Sequence, residues 1–232
     1  MTETLAAPVS TDLLNDIVKA ALKAGADAAE AVSADRRSLS VGVRNGKLED
    51  VEREESRDLG LRVFVGQRQA SVSASDLSPA TQQRLVERAV AMARLAPEDP
   101  HAGFAPEDRL ARGPFIDLDL FDPSERSAQT LEQVSAEAEA AALAVPGVAR
   151  SEGGHAGWSS SRWRLVTSHG FDGAYEGSAF SLGVGVIAEK DGAMERGGES
   201  RSTRHLSDLP GADLIGRTAG ERAVARVGPR KI

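Results

Sequence analysis

The chain has 232 residues, which is enough for one large domain or two small ones. Its 35 acidic and 28 basic residues give a net charge of −7, and Lys and Arg form no continuous run of the kind that phosphate neutralisation requires. Cysteine is absent, which excludes disulfides, thiolate nucleophiles and thiolate metal ligands and fits a reducing compartment. The composition therefore argues against a nucleic-acid ligand and for a cytoplasmic protein.

The N-terminal segment MTETLAAPVSTD does not resemble a secretory signal, because it carries an acidic residue and Pro8 interrupts its apolar run. Nowhere does an uncharged apolar stretch approach the roughly 18 to 20 residues that span a bilayer. We expect residues 1–10 to form a flexible arm, and we expect the protein to be soluble and to have no membrane partner.

Residues 11–96 are predicted to form a first α+β unit. The apolar side chains of TDLLNDIVKAALK recur at helical spacing, and Gly25 supplies a left-handed stop. The segments RRSLSVGVR and KLEDVEREES alternate apolar and polar residues on either side of Asn45-Gly46, a pair typical of a tight hairpin. Two more strands are predicted in LGLRVFVG and QASVSASD, followed by a helix in PATQQRLVERAVAMARLA.

Residues 97–123 are rich in Pro, Asp and Gly and have little periodicity, so they are predicted to be a connector. Residues 124–232 then repeat the order of the first unit, with the amphipathic helix SERSAQTLEQVSAEAEAAALAV, four strand-like stretches and a last helix in GADLIGRTAGERAVARVG. This weak duplication of layout predicts an α+β fold of two similar units. Each is a helix, an antiparallel meander and a helix, with the helices packed on one face of the sheet.

The predicted hairpin carries charges of both signs on its exposed faces. Mixed charges on an antiparallel sheet usually face solvent, and a solvated surface is the preferred interpretation. The charged residues are Arg44, Lys47, Glu49, Glu52, Arg53 and Glu54.

Two of the four histidines are candidates for a metal or hydrolytic site, but neither lies in a convincing set of residues. His101 lies in the connector, where a solvent-exposed or loop-capping role is favoured. Glu152 and His155 have the spacing of a helical metal pair, but the intervening Gly153-Gly154 disfavours a helix. In a strand, this odd spacing is expected to send the two side chains to opposite faces.

The other two histidines also have plain structural explanations. His169 and Asp172 flank the turn-like SHGFDG, so a hairpin connection is favoured over a His-Asp dyad. His205 precedes Ser207 and Asp208, which are placed to cap the last helix, and a role in packing beside that cap is favoured.

The recognisable motifs of hydrolases and nucleotide-binding proteins do not occur. The sequence has no HExxH or HExxxH for zinc, no GxSxG for a serine nucleophile and no phosphate-binding glycine loop. The glycines within 183–186 and 197–200 are interpreted as strand positions that another backbone approaches closely, and Gly216 and Gly220 as a notch for helix packing. No catalytic, cofactor-binding or metal-binding residue is therefore predicted.

Several stretches together resemble the PmbA (TldE) branch of the TldD/PmbA family. The segment GADAAEAVSADRRSLSVGVRNGKLEDVEREESRDLGLRVFVGQRQASVSASDLSP is similar to the opening of that branch. LAPEDPHAGFAPEDRLA, LDLFDPS, SHGFDGAYEGSAFSLGVGVIAE and GRTAGERAVARVGPRKI resemble its successive later landmarks. The resemblance covers nearly the whole chain. It implies that the two units make up one N-terminal domain of a longer protein that continues into a mainly β region.

The resemblance also implies a division of labour. In this family the TldD subunit carries an HExxxH zinc motif and cleaves extended peptides within a TldD/TldE complex, whereas the PmbA branch lacks that motif. No cofactor is therefore expected in this chain, and zinc is expected in a TldD-like partner. The leading hypothesis is a noncatalytic region for assembly of a cytoplasmic metallopeptidase complex and for enclosure of extended peptide substrates. The exposed edge of a sheet could take such a peptide as an added strand.

Other functions stay open from the sequence. The main alternative is a stand-alone protein-binding regulatory module, for example a modulator of DNA gyrase with no protease role. A third is a hydrolase that uses His155 or His169 with distant carboxylates. A homodimer of the isolated chain is a further alternative, and the physiological substrate is not predicted.

Overall fold

The computed structural model describes residues 9–228, apart from the side chain of Glu107. The predicted arm at residues 1–10 therefore falls almost entirely outside the described residues. The elements in chain order are α1 (Thr11–Lys23), β1 (Ala28–Arg44), β2 (Lys47–Val65), β3 (Arg68–Ala74), α2 (Pro79–Leu95), α3 (Ala128–Leu143), β4 (Val148–Thr167), β5 (Asp172–Lys190), β6 (Ala193–Thr203) and α4 (Ala212–Arg226), with short 3₁₀ turns at Glu107–Arg109 and Leu206–Asp208.

The six strands form one sheet in the order β3-β2-β1-β4-β5-β6. Strands β2 and β3 run antiparallel with Leu61 opposite Val72, and β5 and β6 do so with Val186 opposite Gly197. The predicted turn at Asn45-Gly46 joins β1 to β2, and its two residues have φ of 53° and 68°. Positive φ at both positions is what a two-residue hairpin of this type requires, so this prediction is confirmed.

Each repeat contains three strands, and the prediction of four was wrong. The stretches 47–56 and 59–66, predicted as separate strands, form the single strand β2, and the stretches 148–157 and 160–168 are joined in β4. Neither junction contains a Pro or a Gly-containing turn pair that would reverse the chain, so the alternating pattern simply continues. The order of helix, meander and helix nevertheless occurs twice, and the α+β class with antiparallel strands is confirmed.

The chain divides into two compact units. The first unit comprises residues 1–36, 55–118 and 161–176, and the second comprises residues 37–54, 119–160 and 177–232. Four strands, β1, β2, β4 and β5, therefore contribute residues to both units. The predicted boundaries at 11–96, 97–123 and 124–232 stay predictions.

In the first unit, α1 and α2 supply apolar stripes to a core that they share with β1 and β2. Both helices begin at a serine whose hydroxyl accepts a backbone N–H from the first turn, 3.2 Å at Ser10 and 3.4 Å at Ser78. The strand residues of the core are two apart, so they share one face of the sheet. The core is built mainly from Leu14, Ile17, Val18, Ala21, Ala29, Ala31, Leu59, Leu61, Val63, Leu85, Val86, Ala89, Val90 and Ala93.

In the second unit, α3 and α4 pack closely against each other over alternate residues of β5. A Cβ built at Gly216 would lie 2.2 Å from the carbonyl oxygen of Ala138, and one at Gly220 would lie 2.6 Å from Cγ2 of Val145. Only glycine fits this approach of α4 to α3, so the predicted packing notch is confirmed. From β5 the core receives Phe180, Leu182, Val184, Val186 and Ala188.

A buried carboxylate ties the hairpin turn to α3 in the second unit. Glu139, which is 1% exposed, accepts the backbone N–H of Asn45 at 2.8 Å and that of Gly46 at 2.7 Å, and it also accepts the hydroxyl of Ser151. These bonds pair both N–H groups of the exposed turn with a carboxylate that is itself shielded from water. Beyond this turn, the charged residues Arg44, Lys47, Glu49, Glu52, Arg53 and Glu54 are exposed, as predicted.

We expect Glu139→Gln to destabilise the protein by about 1–3 kcal/mol, because the amide has one acceptor oxygen and its buried NH₂ group would face the N–H donors of the turn. Urea unfolding measures the loss, and hydrogen exchange should show reduced protection at Asn45 and Gly46. The exposed control Glu221→Gln on α4 should change stability by no more than about 0.5 kcal/mol. Unchanged amide protection in Glu139→Gln would contradict the anchoring role.

Candidate functional site

The first unit has a groove between the edge strand β3 and helix α2. Its volume is about 620 Å³. Strand β3 ends the strand order, so within residues 9–228 one of its backbone edges has no neighbouring strand. The groove is lined by Val72, Ser73 and Ala74 of β3 and by Thr81, Arg84, Leu85, Glu87, Arg88 and Ala91 of α2.

The chemistry of this groove suits an extended chain. Val72 and Leu85 provide an apolar floor that continues the core, and Arg84, Glu87 and Arg88 are exposed along α2. An unpaired strand edge offers backbone N–H and C=O groups in a row, and peptides bind such edges with little demand on their sequence. The sequence suggested that a sheet edge could take a peptide, but it predicted neither which edge is exposed nor the residues of α2 that form the opposite wall.

The start of α2 is held by a carboxylate next to this groove. The hydroxyls of Thr81 and Ser78 and the N–H of Ser78 donate to Asp76 at 2.5, 2.8 and 2.9 Å. The hydrogen bond from Thr81, followed by those from Ser78, lowers the pKa of Asp76 below its ordinary value. The first turn of α2 is therefore fixed in position beside β3.

A second surface of the first unit exposes aromatic side chains. The rings of Trp163 and Tyr175 stack with centroids 6.4 Å apart and planes 11° apart, and the guanidinium of Arg36 lies 4.7 Å from the Trp163 ring. Tyr175 is 56% exposed. We call Arg36, Trp163 and Tyr175 the aromatic patch; Trp, Tyr and Arg are the residues most enriched at the energetic centres of protein interfaces.

The pair Glu152 and His155 is not arranged as the sequence predicted. Gly153 has a φ of 116°. We interpret this position as a β-bulge, which inserts an extra residue into β4 and breaks the alternation of its side chains. A Cβ at Gly183 would lie 2.5 Å from the His155 ring, and a Cβ at Gly185 would lie 3.5 Å from Cβ of Glu152. Because Gly183 and Gly185 are two residues apart in β5, they share one face of that strand, and the side chains of His155 and Glu152 both lie over it. The expectation of opposite faces was therefore wrong. The Glu152 carboxylate pairs with Arg196 at 2.8 Å.

His101 and His169 lie where the sequence placed them. His101 lies in the connector, where its backbone N–H donates to Asp99 at 2.9 Å. His169 lies in the connection between β4 and β5, and its ring packs edge-on against Phe104 with centroids 4.9 Å apart. Arg164 binds both carboxylate oxygens of Asp172, at 3.1 and 3.2 Å, so the structure forms an ion pair where a His-Asp dyad was the alternative.

His205 belongs to a polar cluster in the second unit, and its predicted setting needs correction. Ser207 and Asp208 belong to a 3₁₀ turn and do not cap α4. The N-cap of α4 is Gly211, and no side chain makes a capping hydrogen bond there. Instead, Nε2 of His205 lies 2.9 Å from the carbonyl oxygen of Asp119, and Asp122 accepts the N–H of Leu206 at 2.8 Å. The cluster fastens the end of the connector to the segment before α4.

The charges of this cluster shift two pKa values in opposite directions. The carbonyl of Asp119, then the carboxylates of Asp119, Asp122 and Asp208, raise the pKa of His205 above its ordinary value. Hydrogen bonds from Ser124 and from the N–H of Leu206 lower the pKa of Asp122.

The described residues provide no metal-binding set. In the part of the chain that the structure describes, no three His, Asp or Glu side chains are grouped so that they could hold a metal ion. Helices long and apolar enough to cross a membrane are likewise lacking among these residues.

Comparison with known proteins shows the family. The family model for the PmbA/TldA metallopeptidase domain 1 matches residues 29–93, and that for the PmbA/TldA metallopeptidase central domain matches residues 121–227. The chain belongs to the TldD/PmbA metallopeptidase family and represents its N-terminal region. It is 35% identical over 224 residues to Metalloprotease PmbA of Escherichia coli O157:H7 and 31% identical over 216 residues to the PmbA homolog of Haemophilus influenzae.

The chain spans about half the length of these relatives. The match to the Escherichia coli protein covers 95% of this chain and 50% of the relative, and the match to the Haemophilus influenzae protein covers 93% and 48%.

Solved structures share the fold. A candidate modulator of DNA gyrase from Bacteroides thetaiotaomicron has a TM-score of 0.87 at 20% identity, and the match covers 95% of this chain and 51% of that protein. TldE from Thermococcus kodakarensis has a TM-score of 0.75 at 19% identity, and the match covers 91% of this chain and 47% of that protein.

We expect His205→Gln to cost stability mainly at low pH. A raised folded-state pKa means that the contribution of His205 is fully present below its ordinary value of 6.5 and is lost as pH rises through the folded value. Urea unfolding of both proteins between about pH 5.5 and pH 8.5 measures this difference. Asp122 does not interfere, because a lowered pKa keeps it charged throughout this window. A destabilisation that grows with pH would contradict the arrangement.

Proposed function

We propose that this chain is the noncatalytic N-terminal region of a PmbA/TldE-like subunit, which assembles with a TldD-like metallopeptidase subunit and helps to enclose extended peptides. The groove between β3 and α2 is the observation that carries the proposal, because it sets a free strand edge beside an apolar floor. An added strand would bind mainly through its backbone, so the site suits peptides of varied sequence. Zinc and its ligands would be supplied by the TldD-like subunit.

The side chains that could act as acids or bases support this division of labour. Glu152 and Asp172 are paired with arginines, at 2.8 and 3.1 Å, and His205 is bonded to a backbone carbonyl. Each of these three groups therefore has a structural contact of its own, as a subunit that binds and assembles would need.

The aromatic patch supports the assembly part of the proposal. Trp163 and Tyr175 present a rigid, half-exposed stack next to an arginine, a combination that gains energy when a partner covers it. We assign this patch to the TldD-like subunit because the groove already accounts for peptide binding.

Two solved relatives are described as candidate modulators of DNA gyrase, which keeps a regulatory module as the second candidate function. A pull-down in which this chain captures gyrase and no TldD-like subunit would favour that alternative.

We expect Ala91→Arg to weaken binding of a fluorescent, unstructured peptide about tenfold, because the new side chain fills the groove. Fluorescence anisotropy measures the affinity. The control Met92→Arg changes the neighbouring exposed residue, which is not in the groove, and should bind the peptide normally. Equal binding by Ala91→Arg, or chelator-sensitive cleavage by this chain alone, would overturn the peptide-enclosing role.

We expect Tyr175→Ser to weaken association with a TldD-like subunit about tenfold or more, corresponding to at least about 1.4 kcal/mol at an interface centre. Analytical ultracentrifugation measures the complex. Met194→Ala removes another exposed apolar side chain, 53% exposed and in the second unit, and should assemble as the unchanged chain does. If Tyr175→Ser assembles normally, the aromatic patch is not the contact surface.

A further inference from the structure

The second unit contains a cavity that neither the groove nor the aromatic patch uses. It has a volume of about 300 Å³ and lies along one side of α3, between that helix, β4 and β5, and the segment before α4. This volume is at the lower end of the range for small-molecule sites, about 300–1,000 Å³.

The walls of the cavity are mainly apolar. Leu131 and Val134 of α3 line one side, Phe180 and Leu182 of β5 line the floor, and Leu206 and Leu209 line the remaining side. Leu131, Phe180 and Leu182 are buried, so these walls are fixed by the core of the unit. Branched aliphatic side chains would bury their surface here without leaving polar groups unpaired.

The ends of the cavity carry opposite charges. Arg126 lies just before the first turn of α3, and Glu137 lies on the same side of the helix, almost three turns further along. Both side chains are exposed, so they can be reached from solvent. The guanidinium of Arg126 forms no ion pair or hydrogen bond with any side chain in residues 9–228, although its backbone carbonyl accepts Nε1 of Trp158 at 2.8 Å. One oxygen of Glu137 accepts the amide of Gln133 at 2.9 Å.

We propose that this cavity binds short apolar peptides of two or three residues with free termini. The C-terminal carboxylate pairs with Arg126, the N-terminal ammonium pairs with Glu137, and the side chains occupy the apolar walls. Charge complementarity at both ends selects a zwitterion over a fatty acid or an uncharged apolar molecule. This inference rests on the proposed function in one respect, since short peptides would be supplied as fragments released by the peptidase complex.

The spacing of the two charges fits this ligand. Glu137 follows Ser127 by ten positions, which corresponds to about 15 Å along a helix at a rise of 1.5 Å per residue. An extended peptide of three residues spans about 10 Å, and the flexible side chains of Arg126 and Glu137 cover the remainder. A single amino acid is too short to reach both charges, and a long peptide would have at least one terminus outside the cavity.

Isothermal titration of the chain with Leu-Leu and with Leu-Ala-Leu tests the proposal. Saturable binding is expected, and N-acetyl-Leu-Leu and Leu-Leu-amide should each bind about tenfold more weakly, because each lacks one terminal charge. Arg126→Gln should bind Leu-Leu more weakly and lose the preference for the free acid over the amide. Glu137→Gln should lose the preference for the free amine over the acetylated peptide.

The controls separate this site from the groove and from loss of folding. Arg217→Gln removes an exposed arginine of α4 outside the cavity and should bind Leu-Leu as the unchanged chain does. Ala91→Arg should also bind Leu-Leu normally, whereas Arg126→Gln should bind the long peptide at the groove normally. The absence of saturable Leu-Leu binding, or equal affinity for its doubly blocked form, would overturn this inference and leave the proposed function intact.

Discussion

The buried carboxylate of Glu139 is the constraint on which the second unit most depends. A charged group that is 1% exposed is tolerable only when hydrogen bonds replace its water, and three donors do so here: Asn45, Gly46 and Ser151. Two of these donors are the N–H groups of the hairpin turn. The carboxylate therefore fixes where the turn lies against α3, and the turn fixes the register of β1 with β2.

The same network extends to the bulge in β4. The hydroxyl of Ser151 donates to Glu139 and accepts the N–H of Gly153 at 2.9 Å. Gly153, which adopts the positive φ, is therefore held by the same hydroxyl that binds the Glu139 carboxylate. The bulge in turn places Glu152 and His155 over one face of β5. The hydrogen bonds of Glu139 thus hold the turn against α3 and, through Ser151, reach the bulge that sets the directions of Glu152 and His155.

The sequence was sufficient wherever the signal was local. The helical stripe ending before Gly25 and the turn at Asn45-Gly46 each depend on residues that are close together in the chain. The close packing of α4 against α3 could be predicted because the spacing of Gly216 and Gly220 is itself a local pattern. The sequence failed where a distant partner decided the outcome. Glu139 occurs in an alanine-rich helix and looks like a surface residue, although it lies among the buried positions Ser135, Ala138 and Ala142. That spacing was the available sign of its burial.

The candidate sites illustrate the same limit. Strand β3 could be recognised from its alternation, but the wall that α2 builds beside it requires the packing of two elements. The bulge at Gly153 was misjudged because a Gly-Gly pair in a strand-like stretch is compatible with either a regular strand or an extra residue.

The two proposed peptide sites use different physical interactions, and this difference decides what each can discriminate. A strand edge binds the repeating backbone, so the groove beside β3 gains affinity with peptide length and reads little of the sequence. The cavity beside α3 binds the two termini, which every peptide has only once, so its affinity falls when the distance between them exceeds the distance between Arg126 and Glu137. A long substrate and its short fragments would therefore not compete for one surface. A chain with both proposed sites could hold a long peptide and bind a short fragment at the same time.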